Sequence, residues 1–187
     1  MKAMVYTQYG SPDVLQLKEV AKPTPKDDEV LIQVYAAAAN AADWHFLSGD
    51  PFFLRLMGGG LLKPKHKILG ADIAGRVEAV GRNVTQFQPG DEVFGDLFEC
   101  GLGGFAEYVC ACENALAPKP AHMTFEEAAA VPLAGVTALQ GLRYKGLLLD
   151  SFQAVRYFLG KLLFQIIVSF HLQSHLCIVP KVGVDND

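Results

Sequence analysis

A mainly β fold, wrapped as a compact barrel or sandwich and flanked by a few helices, is what this sequence predicts. Short apolar segments recur at residues 2–6, 15–20, 29–37, 71–80, 92–94 and 105–111. Turn residues separate them, among them Gly10-Ser-Pro12 and Pro23-Thr-Pro25-Lys-Asp-Asp28. Strong helix signals begin only at Thr124.

The elements follow in order. Residues 2–6, 15–20 and 29–37 have strand composition, and their tight spacing favours antiparallel pairing. In the third, Val30, Ile32 and Val34 share one face, as a strand packed on one side requires. Thr124-Phe-Glu-Glu127 has capping-box spacing: the hydroxyl accepts the amide three residues on, and the glutamate reaches back. A helix through Ala128 to Ala130 is therefore expected. Pro132 should end or kink it, with a second helix over residues 135–145 around Leu139 and Leu142.

The chain has 187 residues, 51% of them hydrophobic and 19% charged, with a net charge of −4, which suits a globular protein. Basic residues neither dominate nor cluster in the manner of a nucleic-acid binder. Cys100, Cys110, Cys112 and Cys177 show no CxxC spacing, so free thiols in a reducing compartment are expected. The N-terminus has no apolar run of signal-peptide type, and a cytoplasmic location follows as the expectation.

Five motifs then occur in a fixed order. They are strand 29–38 followed by Asn40-Ala-Ala-Asp-Trp-His-Phe-Leu-Ser-Gly49, the glycine-bounded run 70–81, Pro89-Gly-Asp-Glu-Val-Phe-Gly95, Gly103-Gly-Phe-Ala-Glu-Tyr-Val109, and Ala129-Ala-Val-Pro-Leu-Ala-Gly-Val-Thr-Ala-Leu139. Over residues 1–146 the chain resembles the GroES-like β-barrel domain of zinc-independent, quinone-oxidoreductase-like medium-chain dehydrogenase/reductases. The resemblance implies reduction of a small hydrophobic carbonyl or quinone by NADPH or NADH.

In the zinc-dependent members the three catalytic ligand positions correspond to Asn40, Ala71 and Leu133. A zinc site needs three donors from thiolate, imidazole or carboxylate, so neither this site nor a four-cysteine structural site is expected. Without a metal, hydrogen-bond donors must stabilise the negative charge that develops on the carbonyl oxygen. The resemblance makes Asn40 the candidate donor, Asp43 its orienter, Trp44 and Phe46 walls of the cleft, and Phe52 part of an apolar loop selecting the substrate. It makes Thr137 a cofactor contact. Asn40 and Asp43 equally suit caps of a short helix, Thr137 a helix-surface hydroxyl bonded to a preceding carbonyl, and residues 51–60 a surface insertion.

Two further patterns are weaker. Gly101-Leu-Gly-Gly-Phe-Ala106 matches G-x-G-x-x-G/A by letters but precedes a strand, so no helix N-terminus would face a phosphate. His171 and His175 have helical spacing without a neighbouring glutamate or third ligand. After residue 146 the family pattern stops, and Gly160 and Gly183 are too sparse for a phosphate-binding turn. The expectation is that residues 147–187 form an unrelated apolar tail replacing the nucleotide-binding Rossmann domain, which leaves the chain weakly active or inactive alone. A noncatalytic isoform that binds a hydrophobic ligand or a full-length relative is the alternative. Polar residues crowd the second half of the apolar run 162–179, so a membrane span is not expected. A homo-oligomer is left open.

Overall fold

In a computed structural model, residues 1–56, 60–147 and 178–179 are described. The strands are β1 (Lys2–Val5), β2 (Gln16–Glu19), β3 (Glu29–Ala38), β4 (Asp72–Val80), β5 (Glu92–Asp96), β6 (Tyr108–Cys112), β7 (Leu116–Pro118) and β8 (Ile178–Val179). The helices are α1 (Ala41–Ser48), α2 (Phe125–Ala129) and α3 (Pro132–Leu147).

The main sheet runs β6-β3-β4-β5-β7, and β8 also pairs with β3 at Ala37 and Ala38. Each of these pairings is antiparallel. A separate pair, β1-β2, is tied on by bridges from Ala3 to Ala106 and from Val5 to Ile68. This is the mainly β, GroES-like architecture expected, with the described helices at its periphery.

Val30 and Ile32 are fully buried beside Ile73, Val77, Val93 and Val109, and Val34 packs against the same cluster. The alternation on β3 therefore points into the main core, as the period of two requires. The outer face is lined with alanine where α2 packs: Ala36 and Ala74 meet Ala128 and Ala129, and Tyr35 stacks on Phe125 at 4.7 Å. Small side chains let the helix approach the sheet closely. β4 approaches β3 closely at Gly75, where a Cβ would lie 2.1 Å from the Gln33 carbonyl oxygen.

Three expectations change. Pro132 does not end or kink the preceding helix: α2 closes at Ala130, and Pro132 is the first residue of α3. Its missing N–H is harmless there, since first-turn amides have no partner within the helix. The strand expected from residue 105 begins at Tyr108, because Phe105 N–H bonds to the Leu69 carbonyl instead of the β3 ladder. β7 was not foreseen; it pairs with β5 for three residues only and ends on Pro118. The capping box at Thr124 forms as expected, with Glu127 N–H donating to Thr124 Oγ1 at 3.1 Å and Thr124 N–H to Glu127 Oε2 at 2.9 Å.

Residues 148–177 and 180–187, which include most of the apolar tail and the pair His171 and His175, lie outside the described residues. Among the described residues no helix is long and apolar enough to cross a membrane.

Candidate functional site

The end of β3, the start of α1, the start of β4 and the start of α3 converge, and the residue that joins them is Asp72. Its side chain is fully buried. Asn40 donates its side-chain Nδ2–H to Asp72 Oδ2 at 3.1 Å. The Leu133 backbone N–H donates to both carboxylate oxygens, at 3.1 and 3.2 Å. Leu133 lies in the first turn of α3, whose amides have no acceptor within the helix. A carboxylate 61 residues away thus performs the capping that the residue before the helix, Val131, cannot provide.

Asp43, in the first turn of α1, is also buried. It accepts the Asn40 N–H at 2.8 Å through Oδ2 and the Gly70 N–H at 2.9 Å through Oδ1. The first bond closes the start of α1. The second fastens the loop before β4, where Gly70 has φ +97°, a left-handed conformation that favours glycine. Asp43 therefore holds the Asn40 backbone while Asp72 holds the Asn40 amide.

Burial dominates the titration of both acids. Asp72 is pushed up to about 7, chiefly by removal from water and in part by nearby Asp96 and Asp43, against the lowering effect of the bonds from Asn40 and Leu133. Burial pushes Asp43 up to about 6, while the amides of Asn40 and Gly70 oppose the shift. Both acids therefore keep a proton to higher pH than an exposed carboxylate does.

The remaining residues singled out in the sequence are distributed around this centre. Trp44 follows Asp43 on α1 and is about half exposed. Phe46 turns inward, with its ring centroid 5.9 Å from Phe98 and 6.3 Å from His66, against a small core of Tyr6, Leu47, Leu69, Ala71 and Leu102. Phe52 is exposed on the loop after α1. Thr137 is half-buried on α3, one turn beyond Leu133. The residue the sequence reading missed is Asp72. Its signal was a lone carboxylate between Ala71 and Ile73, in a strand otherwise buried on that side.

At Asn40, Ala71 and Leu133, the positions the resemblance sets against zinc ligands, the side chains are an amide bonded to Asp72, a buried methyl group and an isobutyl group. This set does not fit a catalytic zinc. Among the described residues no three His, Cys, Asp or Glu side chains are grouped to hold a metal. The letter match at residues 101–106 leads into β6, not into a helix, with φ values of 106°, 64° and 118° at Gly101, Leu102 and Gly103.

The alcohol dehydrogenase GroES-like domain model matches residues 26–121. The chain is 43% identical over 155 residues to 2-methylene-furan-3-one reductase of Solanum lycopersicum, which covers 78% of this chain and 38% of that protein. It is 39% identical over 149 residues to the chloroplastic NADPH-dependent alkenal/one oxidoreductase of Arabidopsis thaliana, covering 76% and 37%. The solved quinone oxidoreductase of Coxiella burnetii superposes with a TM-score of 0.69 at 34% identity, covering 77% of this chain and 44% of that one. The chain belongs to the quinone-oxidoreductase-like medium-chain dehydrogenase/reductases, by its GroES-like domain. It spans about two-fifths of the length of these relatives.

Proposed function

We propose that residues 1–147 are the substrate-side half of a metal-free, NADPH-dependent reductase of quinones and enones, with the Asn40 amide as the donor that receives the substrate carbonyl. The observation that carries this reading is the fixed Asn40 side chain. One amide hydrogen is committed to Asp72, which leaves the second for a substrate oxygen. Enone and quinone chemistry, and NADPH in preference to NADH, are supported by the names of the relatives.

Reduced nicotinamide, when bound, supplies a hydride. Asn40 then bonds to the carbonyl oxygen as negative charge accumulates on it, and because its amide is already oriented, little reorganisation accompanies the step. An ionised Asp72 beside that oxygen would repel the growing charge. Burial makes Asp72 keep its proton to higher pH, which weakens the repulsion. Trp44 and Phe52 offer apolar surface to the substrate, Phe46 backs α1, and Thr137 stands on the helix that would face the cofactor. We place the protein in the cytoplasm, a reducing compartment in which free thiols persist.

Hydride transfer also needs the nicotinamide held against the substrate. We place that task in a further half of the kind that makes up the rest of the relatives' length. The 187-residue polypeptide by itself should therefore show quinone turnover at background and no saturable change in NADPH fluorescence at micromolar concentration. Saturable micromolar binding, or turnover well above background, would overturn the assignment of the cofactor site to a further half.

A further inference from the structure

We propose that residues 52–56 and 60–67, which follow α1, form a docking surface for an anionic lipid bilayer. The inference rests on exposure, anchoring and charge in that loop and does not depend on the reading of the cleft. Leu62 is 89% exposed, Leu56 75% and Phe52 62%, and Leu61 and Phe53 are exposed beside them. Single exposed apolar residues are ordinary, but five within one loop mark an interaction surface.

The loop is held in this form by its own bonds to the body of the domain. Leu54 is buried as an anchor. Arg55 donates through Nε to the Gly49 carbonyl at 2.9 Å, and its guanidinium lies 4.3 Å from the Tyr9 ring centroid. Tyr9 donates its hydroxyl to the Gly60 carbonyl at 2.5 Å, and Gly60 N–H returns to the Arg55 carbonyl at 3.0 Å. With residues 54, 55 and 60 fastened, the apolar side chains on either side are held in solvent instead of folding back onto the sheet.

Charge selects the occupant. Residues 51–67 hold four of the chain's 16 basic residues and none of its 20 acidic ones, although the whole chain carries −4. Arg55 is used internally, but Lys63, Lys65 and Lys67 are exposed. Aromatic and aliphatic side chains next to exposed lysines match the interfacial region of a bilayer, where apolar groups enter the acyl boundary and lysines meet anionic headgroups. An apolar protein partner would account for the leucines and phenylalanines but not for the uncompensated lysines. Such docking is peripheral, and it would bring α1, at the N-terminal end of this loop, close to substrates that partition into lipid.

The test is cosedimentation of the full chain with large vesicles of phosphatidylcholine containing about one-third phosphatidylserine, against phosphatidylcholine alone. Binding to the anionic vesicles is expected, weakening steeply between 0.1 and 0.5 M salt as screening grows. Lys63→Glu with Lys65→Glu should reduce partitioning at least about 25-fold, at about fivefold per lysine lost. Leu61→Ser with Leu62→Ser should reduce it at least about tenfold. Both pairs alter exposed side chains, and if the leucine pair fails to fold, the lysine pair carries the test. Equal binding to neutral vesicles, absence of binding, or binding unchanged by both pairs would overturn the proposal. Loss of self-association with no change in vesicle partitioning would overturn it in favour of a second copy of the chain.

Discussion

Asp72→Ala should lower the unfolding free energy by about 2–4 kcal/mol at pH 6, because it leaves the Asn40 amide and the Leu133 N–H in a buried site without their acceptor. The expected loss is smaller than two full desolvation penalties would suggest. Burial already disfavours the ionised carboxylate, and the substitution relieves that strain. Two consequences separate this change from an ordinary cavity. The N-terminus of α3 loses the cap it receives from β4, so hydrogen exchange at Leu133 should rise more than exchange in β3. The side-chain NH2 resonances of Asn40 should also move toward positions typical of a solvated amide. Unchanged stability together with unchanged Asn40 resonances would show that the carboxylate does not hold the site.

Stability should fall as the pH rises from 4 to 8. Asp43 and Asp72 have folded values of about 6 and about 7, both above their ordinary value of 3.8. Between 3.8 and those values the folded chain holds protons that the unfolded chain has released, so each group's contribution is complete below about 4 and is lost as the pH passes through the raised value. At about 1.4 kcal/mol per pH unit per group, the combined loss is several kcal/mol. The melting temperature should then be roughly 10 °C higher at pH 5 than at pH 8. Asp72→Asn should remove a large part of that slope. A melting temperature that is flat or rising over this range would contradict the raised titration of the two buried acids.

Much of the fold was legible because its signals are local. The alternation of Val30, Ile32 and Val34 follows from strand periodicity, and the Thr124 box from the spacing of two side chains on one helical turn. The glycines at 70 and 75 stand where a Cβ would meet Phe105 or Gln33. Pro132 was misjudged for the opposite reason. A proline marks a boundary without saying on which side the helix lies, and that was decided by the Asp72 carboxylate arriving from β4. β7 was illegible because three residues ending in proline have little strand character, and only the edge of β5 makes them a strand. At the site, the segment 40–46 was found through its place after β3. Asp72 carries no local motif, because its partners Asn40 and Leu133 lie 32 and 61 residues away in the chain. A lone acid facing inward from an apolar strand is the signal that would have found it. Asn40 and Asp43 form the start of a helix and belong to one buried network, so the capping reading of these residues is the one the structure shows.

The most direct test of the account is a titration of the 15N-labelled chain with an enone or a para-quinone, following the side-chain NH2 resonances of Asn40. A saturable shift of these resonances, abolished in Asn40→Ala while the backbone spectrum of the β strands is retained, is the predicted result. Saturation that leaves the Asn40 amide unmoved, or no response to any enone or quinone, would contradict the assignment of Asn40 as the group that receives the carbonyl.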